Sequence, residues 1–212
     1  NPLTPIQLAA DRLRRKYQPD DQQASQQFSE YLSIIGRQVD DIGRMVDEFS
    51  SFARMPQPVM KPLPLRDLAL GQVALHEAQN VGFVTDLDGD SAGGMILGDA
   101  GLLRQALTNI IQNALDSLGE ASGSKPEIRL AMTVNDGFVC LSISDNGPGF
   151  PTMDRAQLLE PYVTNREKGT GLGLAIVSKI VQDHSGELEL LDADCGGACV
   201  MVRLPQFEPQ EP

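Results

Sequence analysis

Long apolar runs, cysteine and positive charge are all scarce in this 212-residue chain, and each shortage excludes a class of protein. No apolar stretch approaches the roughly 18 residues that a membrane-spanning helix requires, and no charged-then-apolar leader opens the sequence. We therefore expect a soluble piece, although a larger parent protein can still be anchored. The formal net charge of -12 argues against nucleic acid and anionic membranes as partners, because both are polyanions. The three cysteines and two histidines lack metal-ligand spacing, which predicts no zinc site and free thiols in a reducing compartment.

The negative charge is concentrated in the second part of the chain. Residues 1–60 carry seven Lys/Arg and eight Asp/Glu, whereas residues 61–212 carry ten against twenty-one. Between them, prolines recur at positions 56, 58, 62 and 64, and proline disfavours helix in the residue that precedes it. We therefore predict a first domain over residues 1–55, a second over residues 60–205, and a frayed tail over residues 206–212.

The first domain carries the pattern of a helical hairpin. Apolar residues recur in alternating steps of four and three, a heptad seam that keeps one narrow stripe facing a partner helix. The stripe consists of Phe28, Leu32, Ile35, Val39, Ile42, Val46 and Phe49, and a shorter series consists of Leu3, Ile6, Ala10, Leu13 and Tyr17. Two such helices bury little, so we expect two chains to form a four-helix bundle as a homodimer. The alternative is a hairpin that packs on the second domain of its own chain.

The second domain alternates helix and strand patterns. Helices are predicted over 65–77, 101–118 and 171–183, and strands over 81–87, 95–97, 127–134, 138–144, 187–191 and 199–204. Strands adjacent in sequence are expected to pair antiparallel through short turns, with helices covering one face. The predicted fold class is α+β: the helical hairpin is followed by an α/β sandwich with a mixed, mainly antiparallel sheet.

Three separated stretches of this domain carry residues suited to binding a ligand. On helix 101–118, Gln105, Asn109, Asn113 and Asp116 fall opposite the apolar side. A solvated face explains that stripe by itself, but its oxygens also suit a hard cation such as magnesium. At the end of a strand, Asp145 precedes Asn146-Gly147-Pro148-Gly149, and a buried carboxylate there can accept a hydrogen bond from a ligand amine.

The third stretch is glycine-rich and directly precedes an apolar helix. Small residues in Gly169-Thr170-Gly171-Leu172-Gly173-Leu174 leave backbone amides open at a helix N-terminus, which favours phosphate. Arg166 and Lys168 add positive charge just upstream. An acidic domain must neutralise a polyanionic ligand locally, by such residues or by a metal.

Taken in order, these three motifs resemble the ATP-binding domain shared by gyrase, Hsp90, histidine kinases and MutL, over about residues 60–205. Within that superfamily the sequence looks like a sensor histidine kinase, most similar to nitrogen-regulation sensor kinases of the NtrY type. Asn1-Pro2-Leu3-Thr4-Pro5 resembles the stretch after the phosphoacceptor histidine, and Glu160-Pro161-Tyr162 resembles the lid segment between the glycine motifs.

The resemblance implies ATP and Mg²⁺ as cofactors and a role for each matching residue. Asn113 would ligate magnesium, Asn109 would be a catalytic residue that supports the same phosphates, and Asp145 would read the exocyclic amine of adenine. The rest of the implied site consists of the adenine wall (Gly147 and Gly149), the mobile lid (Thr164, Arg166 and Lys168), and the phosphate loop (Gly169, Thr170, Gly171, Leu172, Gly173 and Leu174). Asn1 would orient water for dephosphorylation of the partner. Asp116 stands where many relatives have a basic or amide residue, which leaves its role in doubt.

The resemblance also implies a reaction. In the intact parent, the γ-phosphate of ATP would pass to a histidine on the hairpin and then to an aspartate of a response regulator receiver domain. In the family, that histidine lies four residues before the position of Asn1. We therefore expect this chain to bind ATP without phosphorylating itself, and we expect His76 and His184 to be surface or structural residues. The parent would be an inner-membrane sensor, with this part on the cytoplasmic side.

Two other functions stay open at this point. An ATP hydrolase of the gyrase, Hsp90 or MutL kind would place Glu at the position of Asn109, and an amide cannot act as a general base near neutral pH. A non-catalytic dimer scaffold would have lost nucleotide binding, which the intact glycine loops oppose. Cys195 and Cys199 flank a Gly-Gly turn and are either a redox pair or, the interpretation we favour, two small core residues.

Overall fold

The computed structural model describes residues 3–17, 22–76, 81–87, 94–119, 125–164 and 170–208. Four residues of the predicted site, Asn1, Arg166, Lys168 and Gly169, lie outside these ranges. The chain divides into two compact units, residues 1–55 and 56–212. Of the helices described, none has the length and apolar character needed to cross a membrane.

The first unit is the predicted helical hairpin, with α1 over Thr4–Lys16 and α2 over Gln22–Ala53. A proline is tolerated in the first turn of α1 because amides there have no partner within the helix, and three basic residues in the last turn suit the negative end of the helix dipole. The two helices are in contact: the Gln7 amide donates to the Asp40 carboxylate, and a Cβ built on Gly43 would lie 3.7 Å from Leu3 Cδ1.

Only part of the apolar stripe of α2 is buried. Leu32 and Val39 are 4% and 6% exposed. The stripe residues Ile35, Ile42, Val46 and Phe49 are 43% to 48% exposed. The heptad seam therefore has a covered side and an open side, and the open side is a row of large apolar side chains.

The second unit contains four helices and seven strands within the described ranges. Its elements are β1 (Lys61–Pro64), α3 (Leu65–His76), β2 (Gly82–Asp86), β3 (Met95–Gly98), α4 (Ala100–Gly119), β4 (Glu127–Asn135), β5 (Phe138–Asp145), a short 3-10 helix (Gln157–Leu159), α5 (Gly173–Asp183), β6 (Glu187–Asp192) and β7 (Ala198–Pro205). The main sheet has the order β2-β4-β5-β7-β6, in which only β2 and β4 pair parallel. The predicted α+β class with a mixed, mainly antiparallel sheet is confirmed.

The first strands pair differently from the expectation. β2 lies parallel to β4, and β3 pairs antiparallel with β1, a strand that the sequence analysis did not predict. Two of the four residues of β1 are prolines, which hide a strand in the sequence but are tolerated on the edge of a two-stranded ribbon. The parallel pairing is possible because β3 and α4 supply the long crossover between β2 and β4.

Two element ends also differ from the prediction. α5 begins at Gly173 rather than at position 171, because Gly171 has φ +69°, which does not continue a helix. The start of the predicted tail is held by the fold: the Gln206 amide donates to Gly137 O at 2.8 Å and the Phe207 amide to Met95 O at 2.8 Å.

The core lies between the main sheet and helices α4 and α5. Buried and partly exposed residues alternate along β5 and β7, so one face of each strand packs inward. All six predicted core positions of α4 are buried, namely Leu103, Leu107, Ile110, Ile111, Ala114 and Leu118. This burial fixes the rotation of α4 about its axis and therefore the direction of its polar stripe.

A hydrogen-bonded cap joins the start of α4 to the end of α5. The Asp99 carboxylate accepts from the amides of Gly101 (2.8 Å) and Leu102 (3.1 Å), and also from the Val59 amide (2.9 Å). These hydrogen bonds lower the pKa of Asp99 below its ordinary value of 3.8, and the bond from the Val59 amide has the largest effect. The Asp99 amide donates to His184 Nε2 at 2.9 Å, and His184 Nδ1 contacts Ile180 O at 2.7 Å. His184 is 3% exposed, so the prediction of a structural histidine is confirmed.

Candidate nucleotide-binding site

The polar stripe of α4 meets the glycine-rich loop at the N-terminus of α5. The Asn109 side-chain amide donates to Gly173 O over a long 3.4 Å. A Cβ built on Gly173 would lie 3.5 Å from Asn113 Nδ2 and 3.6 Å from its Oδ1. Both asparagines are half-buried, although α4 has its apolar side in the core. Two of the three predicted stretches therefore lie side by side.

The glycine loop is held in a tight turn just before α5. Gly171 has φ +69°, and a Cβ there would come within 2.6 Å of the Tyr162 carbonyl carbon, so no other residue fits this backbone. The Tyr162 amide donates to Gly171 O at 3.1 Å, which ties the Glu160-Pro161-Tyr162 segment to the loop. The Leu172 amide donates to Thr170 Oγ1 at 3.3 Å. Thr164, a predicted lid residue, is exposed.

The start of α5 is suited to an anion. No described side chain caps the helix at Leu172, and the first-turn amides of any α-helix have no partner within the helix. The helix dipole adds partial positive charge at the same place. Because the Leu172 amide is already bonded to Thr170, the amides of Gly173 and Leu174 are the better candidates for phosphate.

The remaining predicted stretch, the turn that begins at Asp145, reaches the other end of the polar stripe of α4. Asp145 ends β5 and is 4% exposed, and its Oδ1 accepts from the Gly147 amide at 2.8 Å and from the Ala198 amide at 3.5 Å. A Cβ built on Gly147 would lie 2.8 Å from Asp145 Oδ1 and 2.7 Å from Ser117 Oγ. Glycine is thus required at position 147, where the turn passes between the acid and α4. All three predicted stretches line one side of α4.

Ser117 is a further candidate site residue, which the sequence pattern did not single out. It is 4% exposed and lies one helical turn beyond Asn113, so Asn109, Asn113 and Ser117 form a series with a spacing of four residues. That spacing was the available signal, and the prediction followed Asp116 instead. Asp116 is exposed and accepts a hydrogen bond from Gln112 Nε2 at 2.7 Å. It therefore lies beside the series rather than within it.

The tip of the β6–β7 hairpin packs behind Asp145. The Cys195 thiol donates to Asp145 O at 3.3 Å, and a Cβ built on Gly197 would overlap that oxygen. Cys195 is exposed and Cys199 is half-buried, so the interpretation of both as core residues is wrong: the hairpin tip lies at the surface. Burial is the main cause that raises the pKa of the Cys199 thiol, and the nearby Cys195 is the second.

The chemistry of these residues suits a nucleotide that carries its own cation. Among the described residues, no group of three or more His, Cys, Asp or Glu side chains could hold a metal ion. Mg²⁺ at nucleotide sites typically takes one or two protein oxygens and fills the remaining positions with phosphate and water. The side-chain oxygen of Asn113, beside a helix N-terminus, matches that pattern.

Together, the α/β sandwich and this site define a nucleotide-binding domain that follows a helical hairpin. Residues 98–208 match the family described as histidine kinase-, DNA gyrase B-, and HSP90-like ATPase, and residues 1–58 match the His Kinase A (phospho-acceptor) domain. The chain therefore belongs to the histidine kinase-, DNA gyrase B- and HSP90-like ATPase family. It has the domain composition of a histidine kinase core, a phospho-acceptor helical domain followed by an ATPase domain, and the ATPase domain implies ATP binding.

Individual relatives agree with this assignment. The chain is 44% identical to nitrogen regulation protein NtrY of Azorhizobium caulinodans, over 100% of this chain and 28% of that protein. It is similar to the catalytic domain of histidine kinase ThkA (25% identity, TM-score 0.61, covering 70% of this chain and 98% of that one). ThkA in complex with the response regulator protein TrrA shares the fold (20% identity, TM-score 0.73, covering 97% and 58%). The chain spans a third or less of the length of the curated NtrY-type relatives that it matches.

Proposed function

We propose that this chain binds Mg²⁺-ATP and that, in the longer protein, it transfers the γ-phosphate to a histidine of the helical unit. From there the phosphate would pass to an aspartate of a response regulator. The observation that carries the proposal is the convergence on α4 of Asn113, the start of α5 and the Asp145 turn. The response regulator is proposed by analogy with ThkA, which has been solved with one.

Each contact supports a part of the ATP molecule. The Asp145 carboxylate, which accepts a hydrogen bond from the Gly147 amide, is proposed to accept another from the exocyclic amine of adenine. The amides of Gly173 and Leu174 are proposed to bind phosphate oxygens, and Asn113 to ligate the cation. When bound, Mg²⁺ would neutralise phosphate charge, which this unit needs because residues 61–212 carry a net charge of -11. We propose that the lid consists of Thr164, Arg166 and Lys168. The phosphate loop would also include Gly169 and Thr170, and Gly149 would form part of the adenine wall.

Asn109 separates this proposal from ATP hydrolysis. Its side-chain amide donates to Gly173 O and has no basic group with which to activate water. We propose that Asn109 holds α4 against the phosphate loop and supports the phosphates, so transfer to a protein histidine is favoured over transfer to water. Asn1 remains proposed as the residue that orients water when the partner is dephosphorylated.

The helical unit supports a homodimer. Ile35, Ile42, Val46 and Phe49 keep more than two fifths of their surface exposed, on one stripe of a 32-residue helix. Pairing of this stripe with that of a second chain would bury both in a four-helix bundle. The name of the NtrY relative supports a role in nitrogen-linked signalling. We also propose that the parent protein is anchored in the membrane, with this part in the cytoplasm.

Two measurements test the proposal. Calorimetric titration of the chain with Mg²⁺-ATP should give saturable binding, with hydrolysis slower than one ATP per minute. The protein carrying the residues N-terminal to Asn1 should take up acid-labile radiolabel from γ-labelled ATP and lose it to a response regulator. Absence of nucleotide binding would remove the whole proposal. Binding without acid-labile label would remove only the phosphotransfer step.

A further inference from the structure

Residues 150–160 join the Asp145 turn to the Tyr162 segment and form a folded connection. The Asp154 carboxylate accepts a hydrogen bond from the Ala156 amide at 3.0 Å, which shapes a turn. The 3-10 helix that follows contacts α5 and buries Leu158, which is 8% exposed. The position of this connection therefore affects both the adenine wall at Gly149 and the hydrogen bond from the Tyr162 amide to Gly171 O.

Arg155 fastens this connection to the edge strand β6 at two points. Its Nη1 donates to Leu190 O at 2.8 Å, and its Nη2 donates to Asp192 Oδ1 at 2.5 Å. Among the described strands, β6 pairs only with β7 and is therefore an edge of the sheet, whose unpaired backbone groups can bond to other partners. The planar guanidinium suits this two-point contact in a way that a lysine ammonium does not.

The same guanidinium also lies over an aromatic ring of the connection. Its central carbon is 5.5 Å from the ring centroid of Phe150, the residue directly after Gly149. Arg155 thus links the beginning of the connection, its middle and the sheet. With Asp192 77% exposed, the ion pair contributes little stability, so the consequence of the contact is the position of the chain.

We propose that Arg155 is a positioning residue for nucleotide binding, which holds Phe150 and residues 150–160 in the place that completes the nucleotide site. The proposal rests on the ATP binding proposed above. The guanidinium is engaged by Leu190, Asp192 and Phe150, so it acts on the shape of the site and makes no phosphate contact of its own.

The chain offers a matched control in Arg203. Its Nη1 donates to Glu187 Oε2 at 2.8 Å, and its guanidinium lies 5.0 Å from the ring centroid of Phe138. It therefore also combines a β6 carboxylate with a phenylalanine ring. Phe138, however, is at the opposite end of β5 from Asp145. Loss of either arginine removes an ion pair with β6 and a contact with a phenylalanine ring. Of the two, Arg155 is the one whose ring partner follows the proposed site.

The test compares Arg155→Ala and Arg203→Ala by calorimetric titration with Mg²⁺-ATP and Mg²⁺-ADP, at a temperature where thermal melting shows both variants folded. We expect Arg155→Ala to lower the affinity for both nucleotides about tenfold and to the same degree. The reason is that a displaced adenine wall affects the adenosine group, which ATP and ADP share. We expect Arg203→Ala to change either affinity less than about twofold, with a similar fall in melting temperature.

Each other outcome is decisive. Equal affinities for the two variants, or a loss confined to ATP, would overturn the proposal, since the latter indicates a direct contact with the γ-phosphate. If Arg155→Ala does not fold, Arg155→Lys and Asp192→Asn replace it, and unchanged affinity in both would overturn the proposal. If the unsubstituted chain itself binds no nucleotide, the proposed function fails first and this inference falls with it.

Discussion

The two units of the chain use their apolar residues in opposite ways. In the second unit, the sheet and helices α4 and α5 bury nearly all the apolar positions that the sequence pattern marks as core. In the first unit, Leu32 and Val39 are the only described apolar side chains that are buried, while the exposure of Ile6, Leu13, Ile35, Ile42 and Phe49 exceeds two fifths. One unit closes its own core, and the other leaves half of a helix seam open.

The difference follows from geometry. A sheet covered by helices offers two broad surfaces that can bury each other within one chain. A hairpin of two helices has only a narrow contact, so a seam with two sides needs further helices to cover it. This geometry fits the proposal that the second unit holds its ligand by itself, whereas the first pairs with a second chain. The following substitutions test that division.

The largest effect is expected from a charge placed on the open side of the seam. Ile42→Glu should raise the dissociation constant of the homodimer by at least about 1,000-fold, because each chain would bury an unpaired carboxylate in an apolar contact. Sedimentation equilibrium measures this. Ser33→Glu adds the same charge on an exposed position off the stripe and should leave the dimer intact. Nucleotide affinity should be unchanged in both, and a stable Ile42→Glu dimer would show that the seam is not the interface.

The next effect concerns the second unit alone. Asn113→Ala removes the proposed magnesium ligand and should weaken Mg²⁺-ATP about 100-fold in calorimetry, without changing the dimer. Gln112→Ala is the matched control, because Gln112 is the exposed neighbour that bonds Asp116. It should bind as tightly as the original chain. An Asn113→Ala variant with undiminished affinity would show that Asn113 is not the magnesium ligand, and absence of binding by the unsubstituted chain would support a scaffold without nucleotide chemistry.

A smaller effect tests the cap that starts α4. Asp99→Ala should cost about 1–2 kcal/mol of unfolding free energy at pH 7, as loss of a helix N-cap does. The folded state lowers the pKa of Asp99, so the charge contributes its full stability above the ordinary value of 3.8. That contribution is lost as the pH falls through the lowered pKa. Denaturant unfolding at pH 7 and below pH 3 should therefore show a difference that shrinks in acid.

Asp99→Asn is the control for that titration. The amide keeps an acceptor oxygen for the Gly101 and Leu102 amides but carries no charge that changes between these pH values. It should lose less stability than Asp99→Ala at pH 7. If Asp99→Ala is equally destabilising at both pH values, the depressed pKa does not contribute to stability.

The smallest effect concerns the thiols at the tip of the β6–β7 hairpin. Cys195 is exposed, whereas burial raises the pKa of Cys199, so iodoacetamide should modify Cys195 at least about ten times faster at pH 7.5. Peptide mass spectrometry over time gives both rates. Cys195→Ser removes the second cause of the raised pKa and should speed modification of Cys199 only slightly, because burial is the larger cause. Equal rates would mean that the hairpin tip opens in solution.

Much of the fold could be predicted from local patterns. Local periodicity predicts several elements, because each pattern repeats over several turns or residue pairs: the heptad steps of α2, the helical spacing of α4, and the alternation in β4 and β5. The partner of each strand could not be predicted in the same way. β1 is half proline, and the parallel pairing of β2 with β4 depends on a crossover through β3 and α4, which no local signal encodes.

The candidate site also contains some residues that local motifs predict and others that only tertiary contacts reveal. Asn113, Asp145 and the glycine loop were predicted because their residue types and order are distinctive. Ser117 and Arg155 were missed because serine and arginine are common, and their significance comes from neighbours remote in sequence: Gly147 for one, and Leu190 and Asp192 for the other.

The sequence by itself determined which stretches become helix or strand, which side of each is apolar, and which family the three motifs resemble, because these depend on spacing within a few residues. Only the tertiary structure decided which of those stretches meet. Contacts such as Asn109 with Gly173, or Arg155 with β6, join residues dozens of positions apart. They arise when burial of the apolar faces fixes the rotation of each element, and the polar side chains then lie wherever that packing directs them.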